Sequence, residues 1–143
     1  MTKRERSAEA LAELILQLAR CVEAEANASD LKPAQWSALR YLAHAAPSAR
    51  TNRAFAAFHQ TTTGTVTLTL KTLVEKGLLC RESDPADKRL VRFELTRAGA
   101  EALADDPLKS LAQSIEALGR EQRAQLADIL TELMVSPELI PTE

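Results

Sequence analysis

Apolar residues at Leu11, Leu14, Ile15, Leu18 and Val22 recur at three- and four-residue intervals, which predicts an amphipathic helix over about 8–26. The stretch "ASDLKPAQW" breaks it and sets Pro33 in the first turn of a second helix, which carries Trp36, Leu39, Tyr41 and Leu42 and ends in "AHAAPSAR". Thr51 or Asn52 can cap a short third helix, "RAFAAFHQ", in which Phe55 and Phe58 lie three apart and can share a buried face. A fourth helix starts among Thr61 to Thr63 and ends at Gly77, a residue suited to a left-handed C-terminal cap. Two β-favouring runs, "LLCRES" and "LVRFEL", then flank the turn-forming "DPADKR", a hairpin with a charged tip. Thr96 caps a fifth helix beginning "TRAGAEAL", and helical periodicity continues through Leu118 and again from Glu121 to Met134, before Pro137 and Pro141. The expected fold class is mainly α with one small β-hairpin.

The fourth helix has an unusual outer face. At about 100° per residue Val66, Leu70 and Leu73 fall together as a core stripe. Opposite them lie Thr61, Gly64, Thr65, Leu68, Lys71, Thr72 and Glu75. Alanine, glutamate or lysine would stabilise a solvated helix face better than threonine and glycine do. One explanation is local: Thr61, Thr62 and Thr63 cap the helix and the rest are merely exposed. The other is contact. A threonine hydroxyl can bond a phosphate or a base edge, its methyl or Leu68 can meet a thymine methyl, and Gly64 admits close approach.

Composition and charge narrow the choice. At 143 residues the chain fits one domain, and with one Trp, one Tyr and three Phe its core must be built from aliphatic residues. No run approaches the roughly 18 apolar residues of a membrane span, and the N-terminus lacks an apolar signal core, so a cytoplasmic location is expected. Cys21 and Cys80 are not expected to form a disulfide, and without CxxC or HExxH, with His44 and His59 isolated, neither a metal site nor a cofactor is expected. No nucleophile motif or phosphate loop points to an enzyme. The formal net charge is −2. From Arg50 to Arg97, however, nine Lys/Arg face five Asp/Glu, giving +4, while the remainder has nine against fifteen, giving −6. Basic charge therefore gathers where the fourth helix and the hairpin lie, as a phosphate-facing surface requires.

Three segments, "LKPAQWSALRYL", "TTGTVTLTLKTLVEKGLLCR" and "DPADKRLVRFELTRAG", resemble the MarR family of winged-helix transcriptional regulators, the last through its wing pattern of Asp, Arg and terminal Leu-Thr-x-x-Gly. The resemblance implies a winged helix-turn-helix between dimerisation helices: 1–30 an N-terminal dimerisation helix, 31–97 the DNA-binding lobe, and 98–143 C-terminal dimerisation helices, in one intertwined domain. It implies a homodimer on a pseudo-palindromic double-stranded operator, with recognition helices in successive major grooves and wings in the flanking minor grooves. Carried to this chain, the recognition set is Thr61, Thr62, Thr63, Gly64, Thr65, Leu68, Lys71 and Thr72. In the wing, Arg89 would be the tip arginine, oriented by an ion pair with Asp87, while Lys88 and Arg92 add phosphate contacts. Arg50 and Arg53 either grip the DNA backbone or form an ordinary exposed helix end; Arg81 and Arg97, flanking the hairpin, are secondary candidates.

Apolar residues at Leu111, Ile115, Leu118, Leu126, Ile129, Leu130 and Leu133 exceed what one small lobe needs, which independently favours burial between two chains. The resemblance further implies a small-molecule effector in a cleft, for which Trp36, Tyr41 and His44 are candidates, although such residues are more commonly core or its margin. Some members resembling this chain sense peroxides through a first-helix thiol, which makes Cys21 a redox candidate. Glu23 and Glu25 would oppose its ionisation, and both cysteines are expected to be small buried hydrophobes. The expected function is a dimeric repressor released by an effector. The rival is a winged-helix protein-interaction module in which Leu68 and the threonines dock a partner.

Overall fold

The computed structural model describes residues 5–139, so Pro141 lies outside the described residues. The chain divides into two compact units, 1–107 and 108–143.

In the first unit α1 spans Ala8–Ala28, capped by Ser7, whose hydroxyl accepts from the Ala10 N–H at 3.2 Å. Only Ala26 of this helix is buried. α2 spans Pro33–His44, with Pro33 at the first position, where its missing N–H costs nothing, and the Gln35 side chain accepting from the Lys32 N–H. A 3₁₀ turn at Pro47–Ala49 leads to α3, Asn52–Phe58, capped by Thr51. α4 follows over Thr63–Glu75, capped by Thr62.

The C-terminus of α4 shows why Gly77 is there. Its φ is +74°, its N–H donates to the Val74 carbonyl, and the Leu78 N–H reaches the Leu73 carbonyl, both at 3.0 Å. This is the left-handed Schellman closure, and it turns the chain into β1, Leu79–Ser83. β2, Val91–Leu95, pairs antiparallel with it in the register Leu79 opposite Leu95, Arg81 opposite Phe93 and Ser83 opposite Val91. α5 spans Arg97–Ala102. Thr96 anchors it twice, donating to the Gly77 carbonyl at 2.6 Å and accepting from the Gly99 N–H at 3.1 Å. A Cβ at Gly99 would stand 2.1 Å from the Leu78 carbonyl oxygen. The Leu-Thr-x-x-Gly pattern thus has a mechanical cause: it seats the first turn of α5 on the chain leaving α4.

The core joins α2, α3, α4 and β1 through Trp36, Leu39, Phe55, Val66, Leu70, Leu73 and Leu79. Each fully buried leucine here contributes roughly 1.5–3 kcal/mol. The predicted stripe of α4 is the buried one. Phe58 departs from expectation: Phe55 is 4 % exposed but Phe58 is 67 % exposed. α3 is only seven residues long, Ala56 takes the second inward position, and Phe58 sits at its end against Tyr41, with ring centroids 5.1 Å apart.

The helical pattern predicted to run through Leu118 is interrupted. After a 3₁₀ turn at Leu103–Asp105, Pro107 disfavours helix at Asp106, and a new helix starts one residue later. Asp106 is held by Arg40, Nε to Oδ2 at 2.7 Å. The second unit contains α6, Leu108–Glu116, and α7, Arg120–Met134, neither with a buried residue.

Candidate nucleic-acid interface

α3 and α4 meet at a tight turn. Gln60 adopts φ +50°, the Gln60 N–H donates to the Ala57 carbonyl, and the Thr61 N–H to the Ala56 carbonyl at 3.0 Å. α3 therefore ends in the same closure as α4, with glutamine where glycine is favoured. Beside it His59 lies edge-on to Phe55 and Phe58, at 4.4 and 5.0 Å between ring centroids. Partial burial, and secondarily the charge of Arg40, hold its imidazole below the ordinary value.

On α4 the threonines serve several purposes. Thr62 Oγ1 accepts from the Thr65 N–H at 3.2 Å, the helix cap. Thr67, Thr69 and Thr72 donate back to the carbonyls of Thr63, Thr65 and Leu68. These bonds turn methyls and oxygen lone pairs outward. Thr61, Thr63, Gly64 and Thr65 are exposed, Thr72 is half-buried, and Leu68 is 68 % exposed. A Cβ at Gly64 would meet only Thr62 Oγ1, at 3.9 Å, so nothing within the chain requires glycine there.

Between this helix, the start of α3 and the hairpin runs a groove of about 470 Å³. Arg53, Lys71, Arg81 and Arg89 line it, over an apolar floor that includes Val74, Val91 and Phe93; no carboxylate does. Lys71 has only a marginal exposed pairing with Glu75, at 4.0 Å. Four cations, three of them in no ion pair among the described residues and the fourth only marginally paired, set with two helices and a β-finger around one concavity, make an anion-accepting surface.

The hairpin tip differs from the expectation in two respects. Asp87 orients Arg89 through the backbone, its Oδ1 accepting the Arg89 N–H at 3.0 Å, and no ion pair joins the two side chains among the described residues. The ion pair of the wing is Arg92 with Asp84, at 2.7 Å. Register explains it: Arg92 stands opposite Glu82, on the face that does not line the groove, whereas Arg81 stands opposite Phe93, which does. Lys88 is exposed at the tip. Arg50 is also engaged, its Nε donating to the Ala45 carbonyl and its Nη1 lying 3.3 Å from Glu94, while its own carbonyl accepts the Phe93 N–H at 2.8 Å. It braces β2 against the entrance to α3. Arg53, three residues on, is exposed in the groove.

The three effector candidates do not share one cavity. Tyr41 and His44 line a space of about 370 Å³ with Phe58 and His59. Trp36 is 3 % exposed, donates its indole N–H to Ser29 Oγ at 2.9 Å, and borders a separate cavity with Ser29 and Lys76. Cys21 is exposed and Cys80 half-buried, both as free thiols, so the expectation of two buried cysteines fails for Cys21. α1 buries only Ala26, near its C-terminal end, which leaves the thiol five residues earlier uncovered.

Asn52 was not among the sequence candidates. It lines the groove and donates through Nδ2 to Thr67 Oγ1. Only the hairpin register could have raised Arg81 above Arg92: counting by two from the buried Leu79 reaches Arg81.

Comparison with known proteins agrees with this geometry. The sequence profile of the MarR family matches residues 29–90. No curated protein matches the chain. Among solved structures, a mutant of S. aureus MepR bound to an oligodeoxyribonucleotide is 23 % identical with a TM-score of 0.62, covering 91 % of this chain and 97 % of that one. S. aureus MepR bound to ethidium bromide is 23 % identical with a TM-score of 0.59, covering 92 % and 97 %. A MarR family transcription regulator, SP03579, is 19 % identical with a TM-score of 0.70, covering 88 % and 84 %. The likeness is one of fold, mostly helical with a two-stranded antiparallel hairpin. Among the described residues no helix is long and apolar enough to cross a membrane.

Proposed function

We propose that this chain, of the MarR family by its winged-helix lobe over residues 29–90, is a cytoplasmic homodimeric repressor that binds pseudo-palindromic double-stranded DNA and is released by a small-molecule effector. The observation that carries DNA binding is the juxtaposition of the exposed threonine, Gly64 and Leu68 face of α4 with a four-cation groove that no carboxylate lines. α4 would enter the major groove by its N-terminal half, where Thr61, Thr62, Thr63, Thr65 and Leu68 meet base edges and phosphates. Lys71 and Thr72 would follow on the next turns, and Arg89, with Lys88 beside it, would reach the flanking minor groove. Arg53 would hold a phosphate at the entrance to α3. MepR, of the same fold, is solved with an oligodeoxyribonucleotide, which supports the choice of partner.

The apolar surfaces of α1, α6 and α7 would be covered by the second copy. MepR is also solved with ethidium bromide, and the cavity of about 370 Å³ beside Tyr41 and His44 would be a place to seek an effector here. Such a ligand would act by changing the separation of the two lobes, so that the recognition helices no longer match the half-site spacing.

Leu68 favours a second reading, in which the same face docks a protein. Salt and sequence discriminate between them. A DNA-binding lobe should select one duplex from a random pool and lose affinity steeply with salt, with a log-log slope of about −0.9 per phosphate contact. Arg89→Ala should weaken most duplexes, with any loss of preference confined to A·T-rich flanks, whereas Thr65→Ala should alter preference within the half-site. A flat salt response, with both variants binding like the wild type, would leave the protein partner as the reading.

A further inference from the structure

Asn52 and Arg81 have no part in the contacts proposed above, yet both face the groove. Asn52 is the first residue of α3. Its Nδ2–H donates to Thr67 Oγ1, and that hydroxyl donates its single proton to the Thr63 carbonyl at 2.7 Å. The amide is thereby oriented, because the threonine oxygen can only accept from it. Asn52 Oδ1 is left buried without a hydrogen-bond partner. A buried acceptor in that state is costly, and a DNA phosphate cannot satisfy it, because a phosphodiester has no proton to donate. An arginine can. Arg81 stands opposite Phe93, whose N–H bonds the carbonyl of Arg50 two residues before Asn52. It is exposed and makes no ion pair among the described residues. A guanidinium carries five donors in a planar fork, so one N–H can go to a carboxamide oxygen while others grip a phosphate.

From this juxtaposition we infer that Arg81 binds a DNA phosphate in the groove and that Asn52 is its positioning residue, receiving one guanidinium N–H on Oδ1 when the phosphate enters. The inference rests on the DNA-binding reading above and adds to it a contact at the root of the wing. Binding then removes two unfavourable features of the free protein together, an unpaired buried acceptor and a cluster of positive charge that no carboxylate of the groove offsets. Lysine at position 81 would retain the charge and lose the fork, so Arg81→Lys should recover the salt dependence without recovering the full affinity.

The test is a double-mutant cycle on the duplex that the wild-type chain selects from a random pool. Arg81→Ala should lower affinity about tenfold and make the salt slope shallower by about 0.9. Asn52→Ala should lower it about fivefold without changing which duplex is preferred, and that loss should vanish when Arg81 is already alanine. Thr67→Val deletes the tie that orients the amide but keeps Oδ1, so any affinity it loses should likewise shrink when Arg81 is already alanine. Where Asn52→Ala does not fold, Asn52→Asp, similar in size, serves instead: its carboxylate would pair with Arg81 before DNA arrives, so the loss should be smaller in the Arg81→Ala background, where only its repulsion of the phosphate remains. The inference is overturned if the Asn52 loss persists in full in the Arg81→Ala background, or if Arg81→Ala leaves the salt slope unchanged. A wild-type chain that retains no duplex overturns this inference and the DNA reading together; one that binds with a steep slope which Arg81→Ala leaves intact overturns this inference alone.

Discussion

Gly64, Gly77 and Gly99 lack a side chain for three different reasons, and alanine separates them. At Gly99 the added carbon would collide with the Leu78 carbonyl oxygen, so α5 must lift from the chain below it. Gly99→Ala should cost about 2 kcal/mol or more in chemical denaturation. At Gly77 nothing lies within 4 Å of the added carbon, but φ is +74°, so the penalty is one of backbone conformation alone. Gly77→Ala should cost about 1 kcal/mol. At Gly64 neither cause operates, and alanine should stabilise the helix by up to about 1 kcal/mol. If that glycine exists to let α4 approach a double helix, Gly64→Ala should be the more stable protein and the weaker binder. Denaturation midpoints and affinity for the selected duplex, measured on the same samples, would show this opposition; a variant both more stable and equally tight would remove close approach as the reason for the glycine.

The turn between α3 and α4 joins a left-handed glutamine to a histidine whose proton affinity is lowered by partial burial and by Arg40. As pH falls, the unfolded chain takes up this proton first, near the ordinary imidazole value of 6.5. The folded state then loses stability until pH passes the lowered folded value, below which the imidazole contributes no further loss. Wild type should therefore lose more stability than His59→Gln on going from pH 7.5 to 5, and identical profiles would mean that His59 titrates freely. Little of this turn was legible in the sequence, because glutamine carries no signal for a positive φ. What was legible followed from periodicity and caps: the stripe Val66, Leu70 and Leu73, the stop at Gly77, the Thr96 cap and the paired strands. What was not legible depended on tertiary partners. Arg92 and Arg81 look alike in a basic hairpin until the register assigns them opposite faces. Phe58 has the spacing of a core residue at the end of a helix too short to bury it. Pro107 divides a helix whose apolar pattern runs on past it, as a hydrophobic pattern records burial and not the missing N–H.

At the scale of the whole chain, apolar side chains at helical spacing stand largely in water on α1 and on α7. Leu11, Ile15 and Leu18 of α1 are 50, 48 and 52 % exposed, and Ile129, Leu130 and Leu133 of α7 are 56, 41 and 40 % exposed. Residues at helical spacing with half their surface in water favour association, since covering them gains about 25 cal/mol for each Å². If the apolar stripe of α7 joins two copies, Ile129→Glu should place a charge within it and shift the sedimentation equilibrium mass from two chains toward one. Its consequence for DNA is quantitative. In the proposed complex each lobe would bring its own groove cations to the phosphates, so a dimer on a palindrome would release counter-ions from two sets of contacts and a monomer from one. The salt slope of Ile129→Glu should accordingly fall to about half that of the wild type, with the half-site preference unchanged. A variant that sediments as a monomer yet keeps the full slope would mean that one lobe makes all the phosphate contacts, and the apolar helices would then need a partner other than a second copy.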